Sequence, residues 1–243
     1  MRNKNLPSLF SDFAYNFNPS SLPISSINIF KICLADWVAV SIAAQNSKVA
    51  EKILSLADDD GGLQESFIFG HKSYVSCKTA ALINGTISHA LDYDDTHFLF
   101  TGHPTASAFP TALALGEELG SSIDEIMLAY MCGVEISTRL GHILGYSHYN
   151  KGFHQTATSG AFGATIVASK LLKLDAKQIE NALGIVSTRA SGLKSQFGTM
   201  GKPFHAGIAA SNGIEAAKLS KLGFVSCETV SYTHLTLPTS DLV

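Results

Sequence analysis

The chain has 243 residues, of which 46% are hydrophobic and 15% charged, with a formal net charge of −3. That length and composition suit one large or two small globular domains with a substantial core, and exclude a disordered chain. No Lys/Arg stripe and no long basic run is present, which argues against a nucleic-acid partner.

In chain order, Ser25 to Ala44 carries Ile, Leu, Val and Ala at helical spacing around Trp37. Ser47 to Ala57 reads as a shorter amphipathic helix, stopped by the turn chemistry of Asp58-Asp59-Asp60-Gly61-Gly62. Glu65 to Gly70 is the best extended segment, and Lys78 to Leu91 returns to an Ala-rich helix. Ser122-Ile123-Asp124-Glu125 is a capping box whose helix is expected to close at Gly141. Thr158 to Leu172 is a Gly/Ala-rich helix. Its sparse side chains suit either close packing or exposure of backbone to a ligand. Asp175-Ala176-Lys177-Gln178 is a second capping box, and Gly207 to Leu222 is a final helix ended by Gly223. After about Glu228 the helical period is lost, and Ser231 to Thr239 reads as a non-native tail. No repeat of 20–50 residues is visible, so a solenoid is not expected.

No apolar run reaches the ~18 residues of a membrane span. No continuous apolar stretch follows Met1-Arg2-Asn3-Lys4-Asn5, so neither a secretory signal nor a membrane partner is expected. Cys33, Cys77, Cys132 and Cys227 lie far apart with no C-x-x-C, and are expected to be small buried hydrophobes. Reduced thiols and no signal point to a cytoplasmic protein.

The chemistry concentrates in three clusters. Asp92-Tyr93-Asp94-Asp95-Thr96-His97 precedes Gly102-His103-Pro104. Gly152-Phe153-His154-Gln155-Thr156 precedes the Gly/Ala-rich helix, whose N-terminus is a place for a carboxylate. Gly198-Thr199-Met200-Gly201-Lys202-Pro203-Phe204-His205 reads as a Gly-rich loop bearing one lysine. Carboxylates and imidazoles move protons near neutral pH, and a lysine pairs with an anionic substrate. Pro104 keeps His103 out of helical dihedrals, on a fixed loop. Each cluster also has a bland reading: a solvated helix end, a capping histidine, a surface lysine. The acidic cluster with its histidine has metal-binding chemistry, but no H-E-x-x-H and no second dense acidic cluster completes a ligand set. The expectation is therefore no metal.

Taken in order, Leu91-Asp92-Tyr93-Asp94-Asp95-Thr96, Gly102-His103-Pro104, Gly152-Phe153-His154, Ser191-Gly192-Leu193 and Thr199 to Gly207 resemble the MmgE/PrpD family. The resemblance runs from about Leu9 to Glu228. It implies an all-α fold: the large helical domain of that family over residues 1–229, truncated before a smaller α+β lid domain, with 230–243 a non-native tail. It also implies a homodimer when full length, chemistry without metal or organic cofactor, and a small polycarboxylate substrate. By motif position the implied catalytic residues are Asp92, His103 and His154, with Thr96 and Lys202 binding substrate. Asp92 would orient or charge a histidine; which histidine is acid and which is base stays open. The implied activity is that of a lyase, a dehydratase or a decarboxylase. An isomerase using the same residues, or an inactive helical fragment, is the alternative.

Overall fold

The computed structural model describes residues 6–60 and 62–227; the tail expected at 230–243 lies outside the described residues. The described chain is built of α-helices with one two-stranded sheet. The helices are α1 (Leu6–Asn16), α2 (Ile24–Ala43), α3 (Lys48–Leu54), α4 (Cys77–Ser88), α5 (Pro104–Leu119), α6 (Ile123–Asn150), α7 (Thr158–Leu171), α8 (Ala176–Ser187) and α9 (Gly201–Lys221). Strands β1 (Ser66–Phe67) and β2 (Tyr74–Val75) pair antiparallel, with Ser66 opposite Val75. The extended segment expected at Glu65 to Gly70 is thus one arm of a short hairpin.

Helix α7 is the axis of the domain and packs against α5, α6, α8 and α9. Thirteen of its fourteen residues are buried. Its small residues serve packing: a Cβ on Gly163 would lie 2.7 Å from the Cβ of Ser137, and one on Gly160 2.8 Å from the Oγ of Ser107. A buried helix with so little side chain lets its neighbours approach backbone to backbone. The crossing of α4 and α9 uses the same device, because a Cβ on Gly207 would lie 2.1 Å from the carbonyl oxygen of Leu82.

Both capping boxes form: Ser122 with Glu125 opens α6, and Asp175 with Gln178 opens α8. Helix α6 does not end at Gly141. It continues to Asn150 with a kink at Gly145 (φ 60°, ψ −168°). Gly141 is instead a point of close approach, where a Cβ would lie 2.9 Å from the Cα of Phe100. The last helix likewise begins at Gly201, so the segment read as a loop around Lys202 is its first turn. Gly223 follows that helix at φ +88°, as its position predicts.

Trp37 anchors the α2 side of the core, with its ring 4.9 Å from Phe109 and 5.0 Å from Phe69. By length and composition α2 is long and apolar enough to cross a membrane, which the count of uninterrupted apolar residues did not register. One face of it packs through Phe30, Trp37 and Val40, while Ile24, Ile29, Ile32 and Ile42 are exposed. Cys77 and Cys132 are buried as expected; Cys33 is half-buried and Cys227 is exposed, contrary to expectation.

Candidate active site

Three loops and the start of α9 converge on a cavity of about 540 Å³. Asp92, Thr96, His103, His154 and Lys202 all line it, with Phe98, Tyr146, Tyr149 and Phe197 as an aromatic wall. The clusters are far apart in sequence, and three structural ties bring them together. The backbone N–H of His103 donates to the Oγ1 of Thr156 (3.0 Å), joining the first loop to the second. Phe153 forms a bridge with Leu193, and the N–H of His154 donates to the carbonyl of Gly192 (2.9 Å). Gln155 donates through Nε2 to the carbonyl of Gly145 (3.1 Å), which steadies the α6 kink beyond which Tyr146 and Tyr149 reach the cavity. Lys194 sits 3.5 Å over the Tyr149 ring.

His103 is the N-cap residue of α5, with Pro104 inside the first turn. Its Nδ1 lies 3.3 Å from Oδ2 of Asp94 and 3.2 Å from the Asp94 carbonyl, and its Nε2 lies 3.3 Å from Oδ1 of Asp92. Both ring nitrogens thus face oxygen acceptors, the surroundings of an imidazolium. Burial works to lower the His103 pKa, but the hydrogen bond and charge of Asp94, helped by Asp92, outweigh it and hold the pKa above the ordinary value.

Asp94 is the buried carboxylate of the cluster, 4% exposed. His89 donates to it from Nδ1, 2.9 Å from each oxygen. Burial alone would raise the Asp94 pKa; the hydrogen bonds from His103 and His89 reverse that and hold it well below the carboxylate range. The role foreseen for Asp92, charging a histidine, therefore falls first to Asp94. Asp92 is the more exposed partner and bonds Lys202 as well as His103. Its φ of 59° and the 53° of Thr101 place two cavity-lining residues in the left-handed region, a strain concentrated where the site needs fixed geometry.

Asp95 does structural work beneath the cavity. It accepts from Oγ1 of Thr105 (2.6 Å) and from the Thr105 amide (3.3 Å), while its own amide donates to Asp36 on α2. The carboxylate at a helix N-terminus is therefore the chain's own Asp95 at α5. At α7 the amides of Thr158 and Gly160 are already taken by the carbonyls of His154 and Gln155, which leaves fewer donors for the carboxylate foreseen there.

His154 is 2% exposed, with its ring 4.9 Å from Phe197 and 6.0 Å from His89. Burial, and then the charges of His89, His205 and Lys202, push its pKa down to about 2. Its Nδ1 lies 3.0 Å from Nδ1 of His205. His89 and His205 were not among the residues singled out for the site. His205 stands three positions after Lys202, and reading that stretch as a loop hid the shared helical face. His89 carries no local signal beyond a histidine at the end of an apolar helix.

His89, Asp92, Asp94 and His103 bring ligand atoms within 4.8 Å of one another and could gather around a cation. All four come from the stretch between His89 and His103, with neither an H-E-x-x-H nor a second acidic cluster. Lys202 already bonds Asp92 there, and each oxygen of Asp94 faces an imidazole, so the geometry is satisfied as an acid–base cluster.

A cavity built from these carboxylates, imidazoles and one ammonium on an all-helical scaffold defines a class, and comparison with known proteins gives it a family. The sequence matches the MmgE/PrpD N-terminal domain over residues 8–234, and the chain belongs to that family. It is 36% identical to the cis-aconitate decarboxylase of Homo sapiens over 149 residues, 59% of this chain and 31% of that protein. It is 29% identical to that of Mus musculus over 90% of this chain and 46% of that protein. The figure is 28% for the cis-aconitate decarboxylase of Aspergillus terreus, over 90% of this chain and 46% of the relative. The chain spans about half the length or less of the curated relatives it matches.

Proposed function

We propose that this chain carries the acid–base half of a lyase acting on a small polycarboxylate, with decarboxylation of a cis-aconitate-like acid as the reaction. The observation that carries this reading is the pairing of opposite protonation states across one cavity. His103 is biased toward imidazolium and His154 toward neutral imidazole. Two groups driven apart in this way take the roles of acid and acceptor. Lys202 keeps donors beyond the one given to Asp92, and with His103 and the Thr96 hydroxyl it offers positive charge and hydrogen bonds to carboxylates. The cavity volume is of the size that holds a small molecule.

In the proposed step the bond to one substrate carboxylate breaks and carbon dioxide leaves. The electron pair stays on the substrate, and His103 delivers its proton to the resulting carbanion carbon. Such acid–base help is worth roughly 10²–10⁴-fold in rate. Dehydration of a hydroxy acid is the second reading, favoured by the neutral state of His154. There His154 takes the proton alpha to a carboxylate, and His103 protonates the departing hydroxyl, which leaves as water.

The test is to assay both this chain and a protein of the relatives' length that contains it on cis-aconitate and 2-methylcitrate. We expect release of carbon dioxide, insensitive to chelators, and lost in His103→Ala. Release of water identifies the dehydratase instead. Deuterium entering the substrate from solvent, with neither product, identifies an isomerase. No turnover by a protein of the relatives' length sinks the reading.

A further inference from the structure

The contact between His154 and His205 has a consequence for the site. Two imidazole Nδ1 atoms 3.0 Å apart cannot both carry a hydrogen, and two bare lone pairs at that distance repel. One ring must donate Nδ1–H and the other accept. The tautomers of the two rings are therefore locked together, and the atom each presents at Nε2 is settled by which one donates.

We propose that His205 is a positioning residue that accepts the Nδ1–H of His154 and so presents the unprotonated Nε2 of His154 to the cavity.

Three features give the direction. Lys202 and His103 line the same cavity as His154, and positive groups there favour a lone pair facing them over a hydrogen. Burial, followed by the charges of His89 and Lys202, lowers the His205 pKa, and burial, followed by a larger set of positive neighbours, lowers that of His154 to about 2. Fewer positive groups act on His205, which suits it to accept. The third feature is steric. His205 is buried at 7% exposure on α9, against Gly192. Gly192 holds φ +146°, and a Cβ there would lie 2.4 Å from the Cβ of Ala157 and 3.4 Å from the His205 ring. Its carbonyl accepts from the His154 amide (2.9 Å). One glycine thus fixes the backbone of His154 and leaves room for the ring that fixes its tautomer.

The chemical use of this tautomer rests on His154 taking the proton alpha to a carboxylate, as in the dehydration described above as the second reading of the lyase. When Nε2 takes up a proton, the ring becomes an imidazolium, and its Nδ1–H bond to His205 strengthens as a charge-assisted one.

Nitrogen-15 NMR of the imidazole rings in the 243-residue chain at neutral pH tests the assignment without any substrate. The His154 signals are identified by their loss in His154→Asn. We expect the hydrogen of His154 on Nδ1 and none on Nε2. In His205→Phe, which keeps a ring but no acceptor, the hydrogen should move to Nε2. In His205→Asn, whose side-chain oxygen reaches a similar position, it should stay on Nδ1. A hydrogen on Nε2 of His154 in the unsubstituted chain overturns the inference, and so does an unchanged tautomer in His205→Phe. If His205→Phe does not fold, the spectrum of the unsubstituted chain decides alone. In a protein of the relatives' length, His205→Phe should lower kcat for dehydration by about 10²-fold with KM little changed, and His205→Asn should recover part of the loss. Absence of all turnover alongside the expected spectrum counts against the lyase reading and not against the tautomer.

Discussion

At the residue scale the site is a balance between burial and charge. His103 and His154 are both shielded from water, and burial alone would keep both neutral. Asp94 makes the difference for His103, because it lies against that ring and not against His154. Activity that uses protonated His103 should therefore persist above the ordinary histidine pKa and fall as pH rises through the raised His103 pKa. In Asp94→Asn that alkaline limb should move to lower pH, as read from a pH–rate profile. Stability follows the same signs. The contribution of His103 is full below its unfolded pKa of about 6.5 and is lost as pH rises through its folded pKa. That of Asp94 is present above about 3.9 and is lost as pH falls through its depressed folded value. For His154 the unfolded chain takes up a proton near 6.5 while the fold resists it down to about 2. Acidification below 6.5 should thus favour unfolding through His154, and His154→Phe should flatten that part of a urea-midpoint against pH curve.

At the element scale, α9 carries both Lys202 and His205, and its position is set by the contact of Gly207 with α4. A methyl at Gly207 meets backbone that cannot move aside. Gly207→Ala should cost about 1–3 kcal/mol in urea denaturation, the range for overpacking, and should also weaken substrate binding by shifting Lys202. The α6 capping box is remote from the cavity, so Ser122→Ala should cost about 1 kcal/mol and leave kinetics unchanged. Asp95 couples two elements, tying the acidic loop to the first turn of α5. Removing its acceptors in Asp95→Ala should cost roughly 1–3 kcal/mol, because the Thr105 amide would be left unsatisfied, while the Thr105 hydroxyl keeps Tyr130 as a partner.

At the scale of the molecule, the core gathers around α7, whereas α2 turns Ile24, Ile29, Ile32 and Ile42 outward. The cavity adds exposed Phe98 and Tyr146. Apolar surface of this extent associates in water. The chain should show concentration-dependent association by light scattering, and Ile29→Lys with Ile32→Lys should reduce it while shifting stability by no more than about 0.5 kcal/mol per substitution. Unchanged association in that double variant would place the sticky surface at the cavity rim.

The helical class, both capping boxes, the αL glycine after α9 and five of the residues that line the cavity were legible in the sequence. Each depends on neighbours within a few positions, or on an ordered set of motifs. The C-terminal end of α6 and the start of α9 were not legible, because Gly141 and Gly207 are there for partners that approach from elsewhere in the chain. The same holds for His89 and His205, and for the choice of Asp94 over Asp92 as the carboxylate that charges His103. Protonation in this site depends on which groups are buried together, and burial is a property of packing between α4, α5, α7 and α9 that no local stretch of sequence contains.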